Sequence, residues 1–310
     1  MTGSPLYAAV CRRLAALPIV AELAPDDRWD LPLRLLGALH YIALAEELDP
    51  WTSPEAVIAD RRDWIAEFLA TRRVQTNEVQ RAWALLPAFL FLGAPRLDLL
   101  ELGPSAGLNL VWDRYRYRYA NGSWGPEDAA LELALELAGD ERAPVPAELL
   151  ERSVEVVRRR GVDLEPVDAT TDEGARLLKC FVWADQVDRL ERFDRALAVL
   201  RLDPPELIAG DYVDLLPSLL RDRVDGALTV VYQTASTQYL SAERYAELQH
   251  ALAAAPRPLA WISTRRHAEE ETGLSGGYEL EVALWPERGP TLVARTGYHG
   301  QWLEWRGLGA

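Results

Sequence analysis

Apolar residues recur every third or fourth position over residues 7–17, 31–48, 54–71 and 78–92. That spacing gathers them on one stripe of an α-helix. Pro18, Pro25, Pro32, Pro50 and Pro54 mark breaks or starts between these stretches. Thr52-Ser53-Pro54-Glu55 reads as a helix cap, a short hydroxyl residue ahead of proline in the first turn. No run before residue 94 alternates as a strand would. The pattern predicts a helical cap domain over residues 1–93.

From residue 97 the period changes. Short apolar runs at 97–102, 153–158, 206–209, 227–232 and 259–263 read as strands. Helical stretches at 173–181, 186–200, 213–220 and 242–255 lie among them. Residues 278–285 and 291–297 alternate on either side of Pro286-Glu287-Arg288-Gly289, a hairpin signature. Strands that alternate with helices imply a mainly parallel sheet covered on both faces. The expected fold is therefore α/β over residues 94–310, ending in an antiparallel hairpin. Residues 113–152 interrupt this scheme. Tyr115, Tyr117 and Tyr119 alternate with arginines, and Leu alternates with Glu and Ala over 131–137. An inserted strand pair or edge ribbon is expected there, with the tyrosines as a packing stripe.

Charge and composition narrow the function. Among 310 residues, 48 acids face 33 bases, a net charge of −15. Nucleic-acid affinity rests on phosphate neutralisation, so such a balance argues against it. No apolar run reaches membrane-spanning length. Cys11 and Cys180 show neither metal spacing nor a disulfide framework. His40, His250, His267 and His299 lie far apart. A cytoplasmic protein with reduced thiols, no metal, and a small-molecule substrate is the expectation.

The chemistry gathers where the first strand ends. Gly103-Pro104-Ser105-Ala106-Gly107 is a small-residue turn between strand and helix, which lets a ligand approach the backbone closely. Glu101-x-Gly103-x-Ser105-x-Gly107 resembles the first motif of class I S-adenosylmethionine-dependent methyltransferases, with Ser105 at the middle glycine. The resemblance implies a Rossmann-like domain that binds S-adenosylmethionine. Gly103, Ser105 and Gly107 would meet the methionyl tail, with Glu101 as buttress. Asp163, after the second strand, would hold the ribose, and Asp211, after the third, the adenine. Gln233 and Thr234, after the fourth, would face the methyl group. Fifty-six positions separate Gly107 from Asp163, against ~20 in simple dinucleotide sites, and the insertion accounts for the excess. Asp113, Glu78 and Asp185 are candidate bases toward the acceptor, a small polar metabolite. Asn77, Glu78, Arg160, Asp185 and Gln186 are expected to line its pocket.

Two other readings use the same residues. Gly103-x-Ser105-x-Gly107 also spells a nucleophile elbow. A serine hydrolase would then need Ser105 with Asp211 or Asp214 and with His267 or His299. The third reading is a metabolite-binding domain without catalysis.

Further segments resemble an actinobacterial family known as domain of unknown function 2332. They are Val74-Gln75-Thr76-Asn77-Glu78, the 103–110 turn with Trp112-Asp113-Arg114-Tyr115, and Arg159-Arg160-Gly161-Val162-Asp163-Leu164-Glu165-Pro166. Val182-Trp183-Ala184-Asp185-Gln186, Gly210-Asp211 and the closing His299-Gly300-Gln301-Trp302-Leu303-Glu304-Trp305 complete the set. Family members usually carry His-Thr or His-Ser after the fourth strand, where this chain has Gln233-Thr234.

Overall fold

The computed structural model describes residues 3–15, 17–23, 29–46, 48–135, 141–267 and 276–307, and the side chains of all but 141–143 and 267 among them. The chain opens with α1 (Pro5–Leu14), α2 (Pro18–Leu23), α3 (Leu31–Glu46), α4 (Pro54–Asp60), α5 (Arg62–Thr71) and α6 (Arg81–Phe91). Strand β1 (Arg96–Leu102) leads into a 3-10 turn at Leu108–Arg114, followed by β2 (Arg116–Tyr119), β3 (Gly122–Trp124), β4 (Glu132–Leu133) and β5 (Glu141–Ala143). Next come α7 (Ala147–Leu150), β6 (Glu155–Asp163), α8 (Asp172–Lys179), α9 (Val187–Leu202), β7 (Glu206–Ala209), α10 (Tyr212–Leu219) and β8 (Leu228–Gln233). A second 3-10 turn (Ser236–Tyr239) precedes α11 (Ala242–Ala254), β9 (Leu259–His267), β10 (Gly277–Trp285), β11 (Arg288–Gly297) and β12 (Leu303–Trp305).

The molecule divides into two compact units, residues 1–77 with 167–197 and residues 78–166 with 198–310. In the first unit, Pro5 opens α1 and the Ser4 hydroxyl caps it by accepting from the Tyr7 amide at 3.0 Å. Residues 54–71, one amphipathic stretch in sequence, form two helices because Arg61 leaves the helical region (φ −109°, ψ 25°). Later residues complete this unit through specific contacts. A side chain at Gly37 of α3 would meet the Phe181 ring at 2.7 Å, so the ring seats against bare backbone. The Tyr7 ring packs between Trp51 and Trp183, at 5.3 and 5.8 Å.

The second unit carries a nine-stranded sheet among the described residues, in the order β5-β12-β11-β10-β9-β8-β1-β6-β7. From β9 to β7 all five strands run parallel. Strands β10, β11 and β12 each pair antiparallel with the strand before them. The expected hairpin is the β10–β11 pair, and β12 and β5 extend the edge beyond it. Helices α10 and α11 bury one face, where Leu216, Leu248 and Leu252 pack on Leu100, Val162 and Trp261. On the other face Phe89 of α6 stacks on Trp112 at 4.5 Å and meets the Tyr232 edge at 5.1 Å.

The insertion folds as a three-stranded sheet, β3-β2-β4. Tyr115, Tyr117 and Tyr119 are buried, and their hydroxyls donate to the carbonyls of Leu108, Trp112 and Trp83. The stripe is packing, with each hydroxyl satisfied by backbone. The alternation read at residues 131–137 yields the two-residue β4, and residues 136–140 lie outside the described residues. No helix among the described residues is long and apolar enough to cross a membrane.

Candidate functional site

Strand β1 ends at the place where the sheet's growth reverses. The next two parallel strands, β6 and β7, lie on one side of it, and the two after them, β8 and β9, on the other. Ligands of open parallel sheets bind outside the carboxyl ends at such a reversal. The turn there is tightly specified. Gly103, Ser105 and Gly107 all have left-handed φ, +75°, +56° and +82°. The Gly103 amide donates to the Val162 carbonyl at 2.8 Å. Pro104 packs so closely on β6 that a side chain at Gly161 would meet its Cγ at 2.5 Å. The turn opens into 3-10 turns over Leu108–Arg114, broken at Val111 (φ −101°, ψ 25°), where a helix was expected.

An acid of the neighbouring strand end, Asp163, reaches this turn. Asp163 accepts from the Ser105 amide at 2.8 Å with one carboxylate oxygen and from the Glu165 amide at 3.1 Å with the other. The Asp163 carbonyl accepts from Gly210 at 2.9 Å, which joins the β6 and β7 ends. Asp211 caps α10 through the Val213 amide at 2.8 Å and pairs with Arg244 at 2.9 Å. The Ser236 hydroxyl donates to the Leu102 carbonyl at 2.7 Å, and its Cβ lies 2.6 Å from where a Gly103 side chain would begin. Tyr212 bonds to Ser236 and feels both Asp211 and Asp163, and burial pushes its phenol up to about 12. Sequence reasoning missed Tyr212 and Ser236. The one signal for them is adjacency, Tyr212 to Gly210-Asp211 and Ser236 to Gln233-Thr234.

Glu101 sits on the α6 face beneath the turn, 1% exposed. Burial pushes its carboxyl up to about 8, so it holds a proton at neutral pH. The Tyr232 hydroxyl lies 3.0 Å from it and 3.2 Å from the Asn109 carbonyl. The Tyr232 hydroxyl donates to Glu101 and also faces the Asn109 carbonyl, tying the strand end to the turn. The Asn109 side-chain oxygen is buried with no partner in the same turn.

The other expected site residues lie elsewhere. Gln233 is fully buried and donates to the Thr264 carbonyl at 2.9 Å. Thr234 lines a small pocket with Arg81, Thr264, Tyr278, Thr296 and Gly300. Asp113 is clamped by Arg159 at 2.5 and 3.3 Å. Arg160 points along the opposite face of β6 to Asp222 at 3.0 Å and to buried Asp98 at 3.7 Å. Glu78 is buried, 4.0 Å from the His299 ring. Asn77, Asp185 and Gln186 belong to the first unit. There Asp185 accepts from the Ser4 hydroxyl at 2.8 Å, and Gln186 donates to the Gly3 carbonyl at 3.2 Å. Asn77 is half-buried in the irregular stretch after α5.

For the hydrolase constellation, the left-handed Ser105 matches the strained backbone of an elbow. The 3-10 helix that follows does not match the α-helix an elbow requires. Asp214 pairs with Arg244 at 2.8 Å, and the His267 side chain lies outside the described residues.

Among curated proteins nothing matches the chain. A family model described as an uncharacterised protein conserved in bacteria, domain of unknown function 2332, matches residues 1–305, so the chain belongs to that family.

Proposed function

We propose that the second unit is a Rossmann-like domain of the class I methyltransferase type, which binds S-adenosylmethionine and transfers its methyl group to a small polar metabolite. The observation that carries this reading is the reversal of strand order at β1, with the Gly103–Gly107 turn there and Asp163 of the next strand end bonded to it.

The residues fit the cofactor's ribosyl part. Asp163 is held by two backbone amides, and each carboxylate oxygen keeps a further lone pair for a ribose hydroxyl. The orphaned Asn109 oxygen is a second acceptor in the turn. Asp211, at the β7 end, is the acid for the adenine amine. When bound, the cofactor supplies a sulfonium methyl electrophile. The chain's own contribution is binding and orientation, the terms on which a displacement chiefly depends. Buried Glu101 keeps the turn rigid in its neutral form. The face of Gly103 is covered by Ser236 and that of Gly107 by Pro205.

Calorimetric titration with S-adenosylmethionine, S-adenosylhomocysteine and, as control, NAD tests the reading. Micromolar binding of the sulfonium pair, about −8 kcal/mol, with at least tenfold loss in Asp163→Ala, is the expected result. Absence of binding to both compounds removes the cofactor assignment. A fluorophosphonate that labels Ser105 would replace it with the hydrolase.

A further inference from the structure

The segment that leaves β8 is held in a conformation its sequence disfavours. Ala235 has φ +71° and ψ −5°, the left-handed region, where an L-residue crowds its Cβ against the following carbonyl oxygen. Apart from Ser105, no other residue with a side chain takes a positive φ among the described residues. Such an outlier persists only where its neighbours over-determine it. Thr264 of β9 does so here. The Ala235 amide donates to the Thr264 hydroxyl at 2.8 Å, and the Gln233 side chain donates to the Thr264 carbonyl at 2.9 Å.

The next residue, Ser236, lies on the Gly103 turn. Its hydroxyl donates to the Leu102 carbonyl at 2.7 Å and accepts from Tyr212. Its Cβ stands 2.6 Å from where a Gly103 side chain would begin, so serine fills the open side of that glycine. Beyond Ser236 the hold is slight. Thr237, Gln238 and Tyr239 make no side-chain hydrogen bond among the described residues, and Tyr239 is 70% exposed. The chain is fixed again at Leu240, which packs on the α10–α11 core, and at Ser241, which caps α11 by accepting from the Arg244 amide at 3.2 Å. Two firm ends, one strained residue and one serine latch are the parts of a segment with two positions.

We propose that residues 234–240 are a strap that closes the Gly103 turn against ligand and opens by rotation at Ala235. In the closed position the Ser236 latch occupies the face of Gly103. When the strap lifts, Ala235 returns to an ordinary backbone region, which offsets part of the lost latch bonds. Gly103 is then open to the methionyl part of S-adenosylmethionine, and apparent affinity scales with the open fraction. That role at the cofactor site rests on the proposed function, whereas the local opening does not.

Native-state hydrogen exchange of the whole protein, followed at the Ala235 amide by NMR, tests the opening without any ligand. Ser236→Ala removes the latch and should speed this exchange roughly fivefold. Ala235→Gly removes the strain and should slow it roughly fivefold. Neither should change the amides of β8 and β9. Unchanged exchange at residue 235 in either variant, or equal changes along β8 and β9, overturns the strap. Calorimetric titration with S-adenosylhomocysteine then tests closure against ligand. Ser236→Ala should bind it more tightly than the unaltered protein and Ala235→Gly more weakly. Equal affinities or the opposite order overturn closure. If none of the three proteins binds it, the cofactor reading falls and the exchange result alone decides the strap.

Discussion

Single residues in the second unit carry large electrostatic consequences because the sheet buries them. Asp98 has no exposure and receives Arg158 in a two-pronged bond, at 2.9 and 2.8 Å. Asp98→Asn leaves Arg158 and buried Arg160 without that charge. We expect a loss of roughly 3–5 kcal/mol in urea unfolding, the usual cost of breaking a buried pair. Glu101 behaves in the opposite sense. Burial pushes its carboxyl up to about 8, above the ordinary carboxylate value of about 4.5, so the folded state binds the proton more tightly. Its contribution to stability is complete at low pH and declines as pH rises from about 4.5 to about 8, by up to about 1.4 kcal/mol per pH unit. Glu101→Gln keeps an acceptor for the Tyr232 hydroxyl and does not titrate. The variant should therefore gain on the wild type between pH 5 and pH 8, and a constant difference over that range would show that Glu101 is already ionised.

At the scale of elements, the strand-end turns are defined by positions that lack a side chain. Gly103 combines a left-handed φ with the Ser236 Cβ, 2.6 Å from where its own would stand. Gly103→Ala should cost about 1–3 kcal/mol from backbone strain and more from the collision. Pairing it with Ser236→Gly should recover the collision part alone. Equal stability of the single and double variants would separate the two turns. Strand β6 shows a related effect. The sequence pattern shows its apolar run over residues 153–158, with the strand ending near Gly161-Val162-Asp163-Leu164. The strand continues to Asp163 since each polar residue finds a partner: Arg159 takes Asp113, Arg160 takes Asp222, and Gly161 receives Pro104.

At the scale of the molecule, the compact units do not follow chain order. Residues 167–197 belong with 1–77, and α6 belongs with the sheet. A fragment of residues 1–93 lacks Phe181, which packs on Gly37, and Trp183, which packs on Tyr7. It also lacks the Cys180 carbonyl, 3.2 Å from the His40 ring. We expect that fragment to show partial helicity by circular dichroism and a broad, non-cooperative melt. A sharp transition would mean that residues 1–93 close a core of their own.

The sequence by itself determined the local elements, because periodicity and caps act over a few residues. The five parallel strands, the β10–β11 pair and the helices between them lie where hydrophobic spacing put them, with shifts at the ends. The Gly103–Gly107 turn was legible for the same reason, since three left-handed positions require small residues. Partnership among polar groups was decided only by the tertiary structure. Asp113, Arg160 and Asp185 read as polar site candidates, and only the fold shows that Arg159, Asp222 and Ser4 are their partners. Arg81 and Arg266 lie far apart in the chain, yet the fold brings the first to the Tyr298 carbonyl and the second over the Tyr298 ring, and no spacing in the sequence encodes a meeting made by strands that pair out of order.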